Sequence, residues 1–124
     1  MGKMSMEKGK RGEREFASLC RNYGYNVTRS AQHCGKTAGV ADVVGLPGIH
    51  VEVKNQERLN LRDAMNQAIR DSEAAGQDEI PIVAHKRNNA PWLITMIAED
   101  FFHMYGEYWP ILACGGRLGG GNNE

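Results

Sequence analysis

Residues 42–55 read Asp-Val-Val-Gly-Leu-Pro-Gly-Ile-His-Val-Glu-Val-Lys-Asn. Two apolar-rich runs, 42–46 and 49–55, flank a Pro47-Gly48 turn signal, which is the pattern of a β-hairpin. Side chains alternate across a strand, so Ile49, Val51 and Val53 face one side while His50, Glu52 and Lys54 face the other. The apolar trio points inward. The opposite face carries a carboxylate and an ammonium two positions apart, about 7 Å along the strand, at a sheet edge or cleft. Alone, that arrangement is equally the surface ion pair of an ordinary amphipathic strand.

Asp42 shifts the balance, because it opens the first run ten positions before Glu52. The connection between the runs decides what it faces. A two-residue Pro47-Gly48 loop sets Val43 opposite Glu52; a three-residue connection over 46–48, or a bulge, sets Asp42 there, with β-carbons about 5 Å apart. Gly48 supplies the left-handed backbone that such a connection requires. Two carboxylates that close repel, which calls for a raised pKa or a divalent cation between them, and we favour the cation. Mg²⁺ takes oxygen ligands at about 2.1 Å and keeps several waters, so one Asp, one Glu, a backbone carbonyl and water suffice. Such a site holds phosphate. Lys54 is placed to orient an attacking water or to stabilise charge on the phosphate. Glu13, on a helix upstream, is available as a further carboxylate, directly or through water; by itself it reads as a solvated glutamate in the run Glu13-Arg14-Glu15.

Outward from this hairpin, Phe16, Leu19, Cys20 and Tyr23 recur at three- and four-residue steps over 10–23 and Gly24 follows, predicting an amphipathic helix. A short strand over 25–29 and an aperiodic loop over 30–39 complete the approach to Asp42. Downstream, Asn60 caps a helix over 61–75 whose stripe is Leu61, Ala64, Met65, Ala68 and Ile69, with Gly76 as its stop. Two strands, 80–86 and 92–97, pair across a polar turn, and a short helix over 98–105 comes last. The order of helix, three strands, helix, two strands and short helix predicts an α/β fold around one central mixed sheet.

The chain has 124 residues, 41% hydrophobic and 24% charged, the size and usage of one globular domain. We expect a basic flexible N-terminus over 1–8, a single domain over 9–112, and a Gly-rich flexible tail over 113–124. No run approaches the roughly 18 apolar residues of a membrane span, and the basic start lacks the apolar stretch of a signal peptide, which points to the cytoplasm. Cys20, Cys34 and Cys114 are odd in number and widely spaced, as for reduced thiols.

The formal net charge of zero hides an asymmetry: residues 1–40 hold eight Lys/Arg against three Asp/Glu, and the remainder seven against twelve. The first third is therefore +5 and the rest −5. Lys8, Lys10, Arg11, Arg14, Arg29 and Lys36 belong to this basic end, which either tracks a phosphate backbone or is a solvated, frayed terminus. Two other signals are set aside. His50-Val51-Glu52 matches half of a zinc-deaminase signature but no P-C-x-x-C follows, and His33-Cys34 lacks partners at zinc-site spacing.

Glu13, Asp42 and the run Val51-Glu52-Val53-Lys54, in the order helix, strand, strand, resemble the PD-(D/E)XK nuclease superfamily. Within it, Gly9 to Tyr25 with Asp42-Val43-Val44 is similar to the archaeal-type Holliday junction resolvases and their phage-encoded relatives, over residues 8–100. The resemblance implies a restriction-endonuclease-like core and a metal-dependent endonuclease acting in DNA recombination and repair. In it Asp42, Glu52 and the Val53 carbonyl ligate Mg²⁺, with Mn²⁺ substituting; Lys54 assists the water, Glu13 completes the ligand set, and Gln67 sits near the active site. The family's serine after the first strand has two candidates, Ser30 and His33. Ala41 departs from the pattern, standing where a proline often precedes the aspartate, and removes no ligand. A four-way junction as substrate implies a homodimer with two active sites about a twofold axis. Six of the nine aromatic residues follow Pro91, and that surplus is either the dimer surface or core packing. A phage or prokaryotic source acting in the host cytoplasm is implied as well. The alternatives are the same chemistry on another DNA form, by nicking, flap or end processing, and a non-catalytic DNA-binding or assembly protein of this fold.

Overall fold

The computed structural model describes residues 2–30 and 39–114. Their elements run α1 (Gly2–Asn22), β1 (Thr28–Arg29), β2 (Val43–Val44), β3 (Ile49–Asn55), α2 (Leu61–Ala75), β4 (Ile80–Lys86), β5 (Leu93–Met96) and α3 (Ala98–Ala113). The strands form one sheet in the order β1-β2-β3-β4-β5, with β3 and β4 parallel and every other neighbouring pair antiparallel. Parallel neighbours need a crossover, and α2 provides it. This is the mixed-sheet α/β architecture that the order of elements predicts.

β3 sits at the centre and is buried on both faces. Val51 and Val53 pack with Phe16, Ala17 and Cys20 of α1 and with Ile82 and Ala84 of β4. On the other face Ala64 and Ala68 of α2 close over Val83, whose sheet neighbour is Glu52. His50 and Glu52 are 1% and 0% exposed. The expectation that their face lines a sheet edge is corrected here, because β2 and β4 flank β3 and α2 covers it. α2 keeps its expected bounds: Asn60 Oδ1 accepts the Asp63 N–H at 3.0 Å, and the Gly76 N–H donates to the Ser72 and Glu73 carbonyls.

The hairpin register answers the question of the connection. Val43 stands opposite Val51, the register of a three-residue loop. Gly48 has φ +84°, and the Ile49 N–H closes the turn on the Leu46 carbonyl at 3.1 Å. At Asp42 the ladder bulges: its N–H also donates to the Val51 carbonyl, at 2.9 Å, so two consecutive residues address one.

Both terminal helices are longer than their periodicity indicates. α1 starts at Gly2, so residues 2–8 are helical. It crosses β3 at Gly12, where a β-carbon would lie 2.7 Å from Asn55 Cβ. α3 continues past Tyr105 because Phe101, Tyr105 and Trp109, one turn apart, stack at 6.0 and 6.1 Å and carry the helix through Gly106. No helix among the described residues is long and apolar enough to cross a membrane. His33, Cys34, Lys36 and the tail 115–124 lie outside the described residues.

Candidate active site

Where β2 gives out, Asp42 takes over its neighbour's bonding. Its Oδ2 accepts the Val53 N–H at 2.8 Å, so the carboxylate occupies the place that a further β2 carbonyl would hold against β3. Its backbone is tied on both sides, through its N–H to Val51 and through its carbonyl, which accepts the Ser30 N–H at 3.0 Å. Asp42 is thus fixed against the peptide that joins Glu52 to Val53. A carboxylate so held needs no rearrangement to present its oxygens.

Lys54 leaves the same face of β3 as Glu52, one pleat further on. Its Nζ donates to Gln67 Oε1 at 3.2 Å, so a residue near the middle of α2 orients the ammonium. Both side chains are half-buried. The helix that covers Glu52 therefore also aims Lys54.

Glu52 has a partner on its own strand. His50 Nε2 lies 3.2 Å from Glu52 Oε2, and His50 Nδ1 lies 3.8 Å from Glu79 Oε1 at the entry to β4. An imidazole between two carboxylates fixes the Glu52 side chain from below. The deaminase match at His50 is accidental, but its position two residues before Glu52, on the same strand face, is the sequence signal that points to it.

The remaining expected residues are distributed around this centre. Glu13 pairs with Arg29, Oε1 to Nε at 2.9 Å, which ties α1 to β1. Among the described residues no group of three His, Cys, Asp or Glu side chains takes a metal-holding arrangement, so Glu13 is not drawn into one set with Asp42 and Glu52. Lys8 lies 3.9 Å from Glu57, and its carbonyl accepts from Asn55 at 3.3 Å. Lys10 is half-buried, whereas Arg11 and Arg14 stand exposed on α1. Ser30 adjoins Asp42 through the backbone bond just described. Two clefts of about 470 and 480 Å³ run along α2 toward α3, and neither is lined by Asp42, Glu52 or Lys54.

The chemistry of the donors answers whether a metal fits. Asp42, Glu52 and the Val53 carbonyl offer only oxygen, the preference of Mg²⁺ and Mn²⁺, with no thiolate or ring nitrogen of the kind zinc selects. Two carboxylates held at one peptide are sufficient for an ion that retains most of its water. The residues fit a small hard cation.

Comparison with known proteins identifies the family and a structural relative of the chain. The family described as "Phage putative PDDEXK endonuclease" matches residues 4–108. Among solved structures, Hjc of Archaeoglobus fulgidus, a Holliday junction resolvase from an archaeal hyperthermophile, is similar with a TM-score of 0.55 and 26% sequence identity. The similarity covers 71% of this chain and 76% of that one. No curated protein matches the sequence.

Proposed function

This chain belongs to the phage PDDEXK endonuclease family, and on that premise we propose that it is a Mg²⁺-dependent DNA endonuclease selective for branched DNA, cutting four-way junctions as a homodimer. The observation that carries the reading is the clamp of Asp42 on the Val53 N–H, at 2.8 Å, beside Glu52 and with Lys54 aimed by Gln67. On this reading the two acids and the amine act at two consecutive peptides of β3. The similarity to a Holliday junction resolvase supports a junction as the substrate.

Asp42, Glu52 and the Val53 carbonyl would hold the divalent ion, with Mn²⁺ able to replace Mg²⁺. When bound, such an ion supplies Lewis acidity toward water and toward the scissile phosphate. The protein contributes the rest. Val53 N–H keeps one Asp42 oxygen in place, and His50 steadies Glu52, so both acids are preorganised before substrate arrives. Lys54 presents N–H donors to the attacking water or to the non-bridging phosphate oxygens, where negative charge grows as the bond to phosphorus forms. Gln67 keeps the ammonium from swinging away. Arg11 and Arg14 meet backbone phosphates, with Lys8, Lys10, Arg29 and Lys36 adding positive potential; Ser30 or His33 borders the scissile strand. Binding of this kind reads the shape of the DNA and few base edges.

The test is cleavage of a labelled four-way junction, a linear duplex of the same arms and a supercoiled plasmid, in Mg²⁺ and in Mn²⁺. Wild type should cut the junction symmetrically and the duplex poorly, while Asp42→Ala and Lys54→Ala bind the junction without cutting it. Equal cutting of duplex and junction would leave a nuclease without branch selectivity. Binding with no cutting in either metal would leave a DNA-binding module.

A further inference from the structure

The sheet face that carries Lys54 continues, on the side away from Asp42, into a cleft that the chemistry above leaves unused. Lys54 is in register with His85 of β4, and His85 with Leu93 of β5. The three side chains therefore leave one face of the sheet in a row, about 5 Å per strand. His85 and Leu93 line a cleft of about 350 Å³ between the β3–α2 loop and the β4–β5 turn, with Gln56, Leu59, Arg87 and Pro91 also on its walls.

Both borders of the cleft are held. The Gln56 N–H donates to the Lys86 carbonyl at 3.1 Å, and the Asn88 N–H donates to Glu57 Oε2 at 2.5 Å, which ties the loop to the turn. The turn closes through the Ala90 N–H on the Arg87 carbonyl at 3.2 Å, with Asn89 at φ +59°. Leu59 anchors the loop by packing on Ala64, Ala68 and Val83. His85 Nε2 lies 2.9 Å from Thr95 Oγ1, which fixes the ring. A cleft braced in this way keeps its shape before a ligand arrives.

Its chemistry is that of a nucleotide site. Leu59, Pro91 and Leu93 are apolar and His85 presents a flat ring, while Arg87, and Arg58 on the bordering loop, stand exposed at the rim. Glu57, the acid on this border, is met by the Asn88 N–H and by Lys8 at 3.9 Å. Apolar walls receive a base and a cationic rim receives its phosphate. A continuous duplex offers such a cleft only phosphates and groove edges, because its bases are stacked. DNA whose stacking is interrupted can place a base there, and extrusion costs least for an unpaired one.

We propose that this cleft takes one unstacked nucleotide of the strand cut at Lys54, its base against His85 and Leu93 and its phosphate on Arg87, so that DNA with broken stacking is preferred over continuous duplex. This deepens the branched-DNA reading and rests on it for the position of the scissile phosphate.

The test is fluorescence anisotropy of the full chain in EDTA, titrated into a labelled duplex with one unpaired nucleotide and into the same duplex without it. Wild type should bind the first about tenfold more tightly. Leu93→Trp, which fills the cleft, should bind the two alike, with its affinity for the continuous duplex unchanged. A 2-aminopurine at the unpaired position should change its fluorescence on binding wild type and not on binding Leu93→Trp. Wild type that binds both duplexes alike, or Leu93→Trp that keeps the preference, overturns the proposal. If Leu93→Trp does not fold, Arg87→Ala on the exposed turn decides: it must weaken the unpaired complex more than the duplex complex, and an intact preference rejects the site. No metal or cutting enters this measurement. Wild type that shows the preference yet never cuts a junction in Mg²⁺ fails the nuclease reading alone, and wild type that cuts junctions but binds both duplexes alike fails the cleft alone.

Discussion

At the scale of single residues the site depends on two contacts, one from Asp42 to the Val53 N–H within the motif and one from Lys54 to Gln67 outside it. Their functional weights differ. Lys54 faces the reacting atoms, so Lys54→Ala should lower kcat by about 10²–10³-fold, the usual cost of losing a donor aimed at developing charge. Gln67 acts only by orienting Lys54, so Gln67→Ala should cost about 10–100-fold in kcat with little change in KM. Single-turnover cleavage rates on saturating DNA check both. The sequence makes Asp42, Glu52 and Lys54 legible through alternation and spacing. It does not reveal what anchors them: Gln67 comes from the family resemblance alone, and His50 looks accidental until α2 is seen to bury that face of β3. Glu13 as a ligand likewise comes from the resemblance, and its carboxylate pairs with Arg29 across α1 and β1.

At the scale of elements, β3, α2 and β4 have the bounds that their patterns indicate, because strict alternation, an Asn60 cap and a Gly76 stop are local signals. β1 and β2 shrink to two residues each, and on the β3 side the bulge at Asp42 ends the regular ladder of β2. α1 and α3 grow, because the ends of a helix are set by contacts and stacking beyond its own period. The crossing of α1 over β3 has no room for a side chain at Gly12, so Gly12→Val should destabilise the fold by about 1–3 kcal/mol, read as a lower midpoint in urea. On the β4–β5 side, burial holds the His85 imidazole below its ordinary pKa, with Nε2 2.9 Å from Thr95 Oγ1. The unfolded chain takes up that proton first as pH falls, so stability is kept above the unfolded pKa and is lost as pH drops through and below it. Between pH 7.5 and 5.5 wild type should therefore lose more stability than His85→Gln, measured by urea unfolding at each pH.

At the scale of the whole molecule, the division of charge into a basic first third and an acidic remainder becomes a division of surfaces. α1 carries Arg11 and Arg14 in solvent, while the polar side of α3 is acidic. DNA is expected on the first. Because phosphate contacts release counterions, junction affinity should fall linearly on a log-log salt plot, and Arg11→Ala or Arg14→Ala should each flatten the slope by about one while weakening duplex and junction alike. The architecture itself was readable from the order of elements, but the reach of α3 was not, since a helix whose apolar face lacks a core within its own chain gives no local sign of its length.

Whether Asp42 and Glu52 hold one divalent cation at the Val53 peptide is read by calorimetric titration of Mn²⁺ into the DNA-free protein. Wild type should bind saturably, and binding should weaken at least about tenfold in both Asp42→Asn and Glu52→Gln, with the folds of both variants retained. Binding that is unchanged in the two variants, or absent from the folded wild type, would contradict it.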